Sequence, residues 1–169
     1  TLSGTTATTS PVLFDNSTAK DALTGQSAPL NLSDPDSSTV VPATANRFAG
    51  DLDLDSQGDS QQVFLHHPGT ASQTVTVLTV GTQINDTAFA TSSKGTLYIT
   101  DNANNSVDAI TGRFKPGTAF VAAPGDSGVA GFVDRHAIAD VRDLPALARV
   151  FEAFAPEFVF HLAAQSLVI

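Results

Sequence analysis

The apolar positions of this chain fall into short runs broken at close intervals by turn-forming residues. In "FAGDLDLD", residues 48–55, apolar and polar side chains alternate with the two-residue period of a strand. "QQVFLHH" and "QTVTVLTVG" follow at strand-like lengths. After them come "DTAFAT", "GTLYIT", "NSVDAIT" and "GTAFVAAP", each bounded by Gly, Asn, Asp, Ser or Pro. Many short strands spaced about 8–12 residues apart predict an all-β array of sheets. Residues 1–46 carry shorter apolar pieces, "PVLF" and "STVV", among Thr, Ser, Asp, Pro and Ala, and predict turns with a few short strands.

The pattern also repeats. Displacing the chain by 45 residues lays Gly50 on Gly95, Leu52 on Leu97, Leu54 on Ile99 and Leu65 on Ile110. The matched apolar residues share one strand face. A repeat of about 40–45 residues has the length of one four-stranded propeller blade. The two stretches are therefore expected to fold as equivalent four-stranded units whose leucines and isoleucines share an interior.

Near Asp134 the texture changes. "DLPALARVFEAFAP" opens with Asp143 as a cap and Pro145 at the first helical position. Leu144, Leu147, Val150, Phe151 and Phe154 then recur at helical spacing, and Pro156 ends the helix. "FVFHLAA" is a continuous apolar run suited to a buried parallel strand. The expected organisation is a Thr/Ser/Pro-rich segment at 1–46, β repeats at 47–133 and a helix–strand segment at 134–169.

Two resemblances attach to these stretches. "GTLYITDNANNSVDAIT" resembles the NHL-type β-propeller repeat through Gly95, Leu97, Tyr98, Ile99, Asp101, Asn105 and Val107. The first copy departs from it at Asp53, where Tyr stands in the pattern, and at Ser56, where Asp stands. The resemblance covers about 47–133. It implies a mainly β fold of two to three propeller-like antiparallel blades in an incomplete ring, followed by a short C-terminal α/β segment. Complete propellers have about 4–8 blades, so this chain is not expected to close a ring alone.

The segment 134–169 resembles part of an extended short-chain dehydrogenase of the nucleotide-sugar epimerase and dehydratase group. Asp140, Arg142, Asp143, Pro156 and the run Val159 to Gln165 carry that match. It implies Asp140, Ala163, Ala164 and Gln165 as residues along a bound NAD. No Gly-rich dinucleotide loop precedes the segment and no Tyr-x-x-x-Lys follows it, so both the pyrophosphate seat and the acid–base pair of that family are missing.

Composition narrows the function classes. Among 169 residues, 41% are hydrophobic and 15% charged, enough apolar side chain for a packed core. The net charge of −9 repels phosphate backbones and argues against a nucleic-acid partner. There is no cysteine, which removes disulfides, thiolate metal sites and cysteine nucleophiles. No apolar run approaches the ~20 residues of a membrane span. Thr1 is neither an initiator Met nor the start of a signal pattern, so the chain reads as a mature secreted product or an internal fragment. Asn16, Asn31, Asn85 and Asn104 stand in Asn-x-Ser/Thr triplets and fit exposed loops.

Acidic clusters attract cations, and "GDLDLDSQGD" is the densest here. A calcium loop starting at Asp53 would take Asp53, Asp55 and Gln57 as ligands with Gly58 in the turn. Phe64 occupies the twelfth position, where such loops place an acid. The competing reading is a strand with Leu52 and Leu54 inward and the aspartates outward, running into a turn. The non-acidic second copy favours the strand.

"GDSG" at 125–128 is similar to the nucleophile stretch of chymotrypsin-like proteases. About 60 residues separate Ser127 from His66 and His67, too few for two barrels, and Pro124-Gly125-Asp126 is a turn signal. His66 and His67, adjacent on a strand, are expected to face opposite sides. His136 sits at the texture change, and His161 in its apolar run is expected to be a core histidine. Asp101 with Asn102, Asn104 and Asn105 is expected to build a tight turn.

These features favour a non-catalytic, extracytoplasmic structural or binding module without a cofactor, its open sheet edges covered by self-association or a protein partner. The alternative is a piece of an NAD-dependent nucleotide-sugar enzyme.

Overall fold

The computed structural model describes residues 2–101, 105–123, 135–138, 145, 148–149 and 152–153. Its thirteen described strands make a mainly β structure of several sheets, antiparallel except where β3 meets β8. The strands are β1 (Leu2–Ser3), β2 (Thr6–Ala7), β3 (Thr18–Asp21), β4 (Ser27–Pro29), β5 (Pro35–Val40), β6 (Leu52–Ser56), β7 (Gln61–His66), β8 (Thr74–Thr79), β9 (Asp86–Phe89), β10 (Gly95–Asp101), β11 (Ser106–Gly112), β12 (Ala119–Ala122) and β13 (Arg135–Ile138).

Alternation in "DLDLDS" and the apolar "QQVFLH" form the β6–β7 hairpin at the centre of a six-stranded sheet ordered β4-β3-β8-β7-β6-β5. Within it, β5, β6, β7 and β8 follow one another as an antiparallel meander over residues 35–79. β3 joins β8 in parallel, and β4 returns from β3 through a turn where the Asp21 carboxylate accepts from the Leu23 and Thr24 amides. The sheet therefore crosses the boundary expected at residue 46, since β5 pairs with β6.

The second copy repeats the hairpin but not the meander. Leu52 opposes Leu65 and Asp53 opposes Phe64 in β6–β7; Leu97 opposes Ile110 and Tyr98 opposes Ala109 in β10–β11. Adding 45 to each member of the first pairs gives the second. Ser60 and Asn105, related by the same shift, both adopt left-handed backbone (φ 56° and 50°) at the end of the turn. At the open ends, His66 Nδ1 meets Asp51 Oδ1 at 2.6 Å, and the hydroxyls of Thr96 and Thr111 meet at 3.0 Å.

Beyond the hairpins the copies diverge, which corrects the expectation of equivalent four-stranded units. β8 pairs with β7, but its counterpart β12 pairs with β9, and β13 takes the place beside β11. Accordingly, Leu52 and Leu97 lie in different clusters. Leu52 and Leu54 pack with Ala19, Val63, Leu65 and Val75. Leu97 packs with Ala88, Ile99, Ile110, Phe114 and Phe120.

β9 is the layer between them. Its residues 87–89 are all buried: Ala88 packs against β10–β11, while Phe89 joins Val41 and Phe64 on the six-stranded sheet. Gly117 fixes this arrangement in the turn before β12. Its φ is +86°, its amide donates to Ala90 O at 2.7 Å, and a Cβ there would lie 2.4 Å from Thr44 O. Near the C-terminus, Pro145, Ala148, Arg149, Glu152 and Ala153 have helical backbone and are exposed, in keeping with the helix expected from Pro145. No helix among the described residues is long and apolar enough to cross a membrane.

Candidate functional site

The face of β6 and β7 turned toward β9 carries the most unusual chemistry of the described residues. Residues opposite each other in an antiparallel pair share a face, so the register places Asp53, Asp55, Gln62 and Phe64 together. Asp53 and Asp55 are each only 1% exposed, whereas Leu52 and Leu54 are half-buried. The expectation of outward aspartates is thereby corrected. Each face of this hairpin is covered, one by the Ala19–Leu65 cluster and the other by β9.

A β-bulge in β5 assists. Pro35 opposes Ser56 and Ser38 opposes Leu54, so Asp36 and Ser37 together face the single residue Asp55. Ser37 Oγ donates to Asp55 Oδ2 at 2.9 Å, and Thr87 Oγ1 donates to Asp55 Oδ1 at 2.9 Å. Gln62 Nε2 bridges Asp53 Oδ2 (3.1 Å) and Thr87 Oγ1 (2.9 Å). Asp53 Oδ1, also buried, has no hydrogen-bond partner among the described residues.

This environment raises the proton affinity of both carboxyls. Burial, followed by the charge of Asp55, pushes Asp53 up to about 8 against the opposing Gln62 bond. Burial also raises Asp55, while the Ser37 and Thr87 hydroxyls oppose it and Asp86 adds to it. At neutral pH Asp53 is therefore chiefly the neutral acid.

Of the three candidate cation ligands, Asp53 and Asp55 share one face and Gln57 stands apart from them. Asp53 and Asp55 sit in β6 as hydrogen-bond acceptors, and Gln57, in the following turn, donates its amide to Asn85. Among the described residues no three histidine or acidic side chains form a group able to hold a metal ion. The carboxyl pair also does not line an open cleft found among the described residues. That cleft, about 470 Å³, is lined by Asp21, Gln26, Asn31, Asp59 and Gln61 among others. Its acids serve turns: bonds from Thr24 and Leu23 lower Asp21. At Asp59 burial raises the carboxyl, but bonds from Ser56 and Ser33 outweigh it and leave it lowered.

The histidines correct a second expectation. His66 ends β7, but His67 leaves the strand with φ 49°, so the two rings do not diverge; their centroids are 3.8 Å apart. His66 bonds Asp51 and His67 Nδ1 meets Ser72 Oγ at 3.2 Å. Asn16 and Asn31 are exposed as expected, whereas Asn85 is half-buried and the Thr87 hydroxyl of its triplet is committed to Asp55. Asn105 closes the β10–β11 turn. Asn102, Asn104, Ser127, Asp140, His161, Ala163, Ala164 and Gln165 lie outside the described residues, as does the "FVFHLAA" run.

The sequence did hold a signal for the buried carboxyls. In "QVFL" three successive apolar residues occupy both faces of β7, and a strand apolar on both faces belongs to a sheet covered on both sides. An aspartate opposite Phe64 in such a sheet cannot face water. No protein-family model, curated protein or solved structure matches this chain.

Proposed function

We propose that this chain is a non-catalytic, propeller-like β module that serves as an extracytoplasmic structural or binding unit. The observation that carries the reading is the β5–β8 meander, four antiparallel strands in sequence order within the length of one blade, together with a second hairpin 45 residues on in the same register. The strongest polar site supports a structural role, because its carboxyls are spent on joining β6, β7 and β9 and do not line the open cleft.

Incomplete blade arrays leave edges. Among the described residues β4 and β5 end the six-stranded sheet, and β5 exposes Val40. Such edges pair with further strands unless covered, so the module self-associates or binds a protein along them. Light scattering across a concentration series tests this: a mass rising to a dimer or higher is expected, and a monomer throughout contradicts it.

A further inference from the structure

We propose that Asp53 is a proton-operated latch: its neutral carboxyl keeps the β9–β12 pair seated on the six-stranded sheet, and its ionisation loosens that seat. The inference stands apart from any ligand of the module. At Asp53 and Asp55 the six-stranded sheet, through β5, β6 and β7, meets the β9–β12 pair.

Thr87 on β9 is held from both sides, accepting from Gln62 and donating to Asp55. The remaining described bridge between this strand's entry and the sheet is the Gln57–Asn85 contact, while Phe89, at the other end of β9, packs on Val41 and Phe64. Asp55 is equipped to carry one negative charge, because two hydroxyls donate to it. Asp53 is not. One oxygen accepts from Gln62, and the other is buried without a partner among the described residues. A second anion here would need water, and the nearest covering element is β9.

The surrounding charges do not relieve it. Asp55 stands beside it on β6, with Asp51 at the start of that strand bonded to His66 of β7. Asp36 and Asp34 approach from the β5 side, and Asp86 from β9. Arg47, next to the Phe48 ring that stacks on Phe64, directs its guanidinium to Ala22 O. The cluster is acidic on every side but His66 and Arg47.

The sign follows from linkage. Asp53 titrates near 8 in the folded chain and near 3.8 when hydrated. The folded state thus binds the proton more tightly, and the seat is firmest below the lower value. Its stability falls as pH rises between the two values and levels off above about 8. The apolar contact of Phe89 lies outside this titration, so the loosening is local to β9 and its partner β12.

The test is amide hydrogen exchange on the full chain between pH 6 and pH 9, corrected for base-catalysed chemical exchange. Opening at residues 86–89 is expected to increase roughly tenfold or more in the wild type and less than about twofold in Asp53→Asn, whose amide mimics the neutral acid. Opening at 86–89 that does not change with pH in the wild type overturns the proposal. So does an equal increase in Asp53→Asn. If that variant does not fold, the carboxyl carbon shift of Asp53 in the unmutated chain decides. A midpoint near 8 supports the latch, and one in the ordinary carboxylate range overturns it.

Discussion

The hairpins β6–β7 and β10–β11 share a register, a turn length and a left-handed residue at the end of the turn, yet their edge strands differ and β9 meets opposite faces of the two. In the first, the face toward β9 is built from Asp53, Asp55, Gln62 and Phe64; in the second, the equivalent positions hold Tyr98, Thr100, Val107 and Ala109. The first hairpin gains strands on both edges and becomes a meander. The second has β13 on one edge, and β9 and β12 pair with each other instead. A hairpin's register is set locally, by its turn and its alternation. What joins its edges and covers its faces is decided by side chains far away in the chain.

The largest effect should come from the positions where the copies trade volume. Phe64 stacks on Phe48 at 3.9 Å and touches Phe89, while its counterpart Ala109 is fully buried beside Tyr98 and Val107. Phe64→Ala should cost about 3–5 kcal/mol, and the reciprocal Ala109→Phe about 1–3 kcal/mol through overpacking. Chemical denaturation measures both. Near-neutral values at either position would mean that the faces are not packed as described.

Next is Gly117, which ties the second unit to residues 44–45 of the first. Gly117→Ala combines a left-handed backbone with a clash against the Thr44 carbonyl, and should cost roughly 2–3 kcal/mol in thermal unfolding. Smaller again are the polar contacts at the two open ends. Thr111→Val and His66→Ala should each cost about 0.5–1 kcal/mol, because both pairs are partly hydrated. A final titration should show nothing: NAD added to the chain is expected to give no binding heat, and measurable affinity would revive the dehydrogenase-like reading of 134–169.

Much of this architecture was legible in the sequence, for reasons that also explain what was not. The strands "DLDLDS" and "GTLYITD" and their turns announced themselves through two-residue alternation and turn-forming residues. The 45-residue shift gave the shared register, because matched apolar residues must occupy the same strand face. The alternation of β6 itself left the direction of Asp53 and Asp55 open, since it depends on β9, which begins about 30 residues later, and the apolar run of β7 was the signal that pointed to their burial. Alternation alone cannot say which face of a strand will be covered. The partnering of β12 with β9 was hidden likewise: local pattern marks a strand and leaves its neighbour open. His67 escaped the strand through a left-handed backbone that the following Pro-Gly could have suggested.

The common register of the two hairpins is the claim on which the blade reading rests, and cross-strand backbone NOEs in the labelled chain test it most directly. The account predicts contacts linking Leu52 with Leu65 and Asp53 with Phe64, and the same set displaced by 45 residues linking Leu97 with Ile110 and Tyr98 with Ala109. A one-residue slip in either hairpin, or contacts in only one of them, would contradict it.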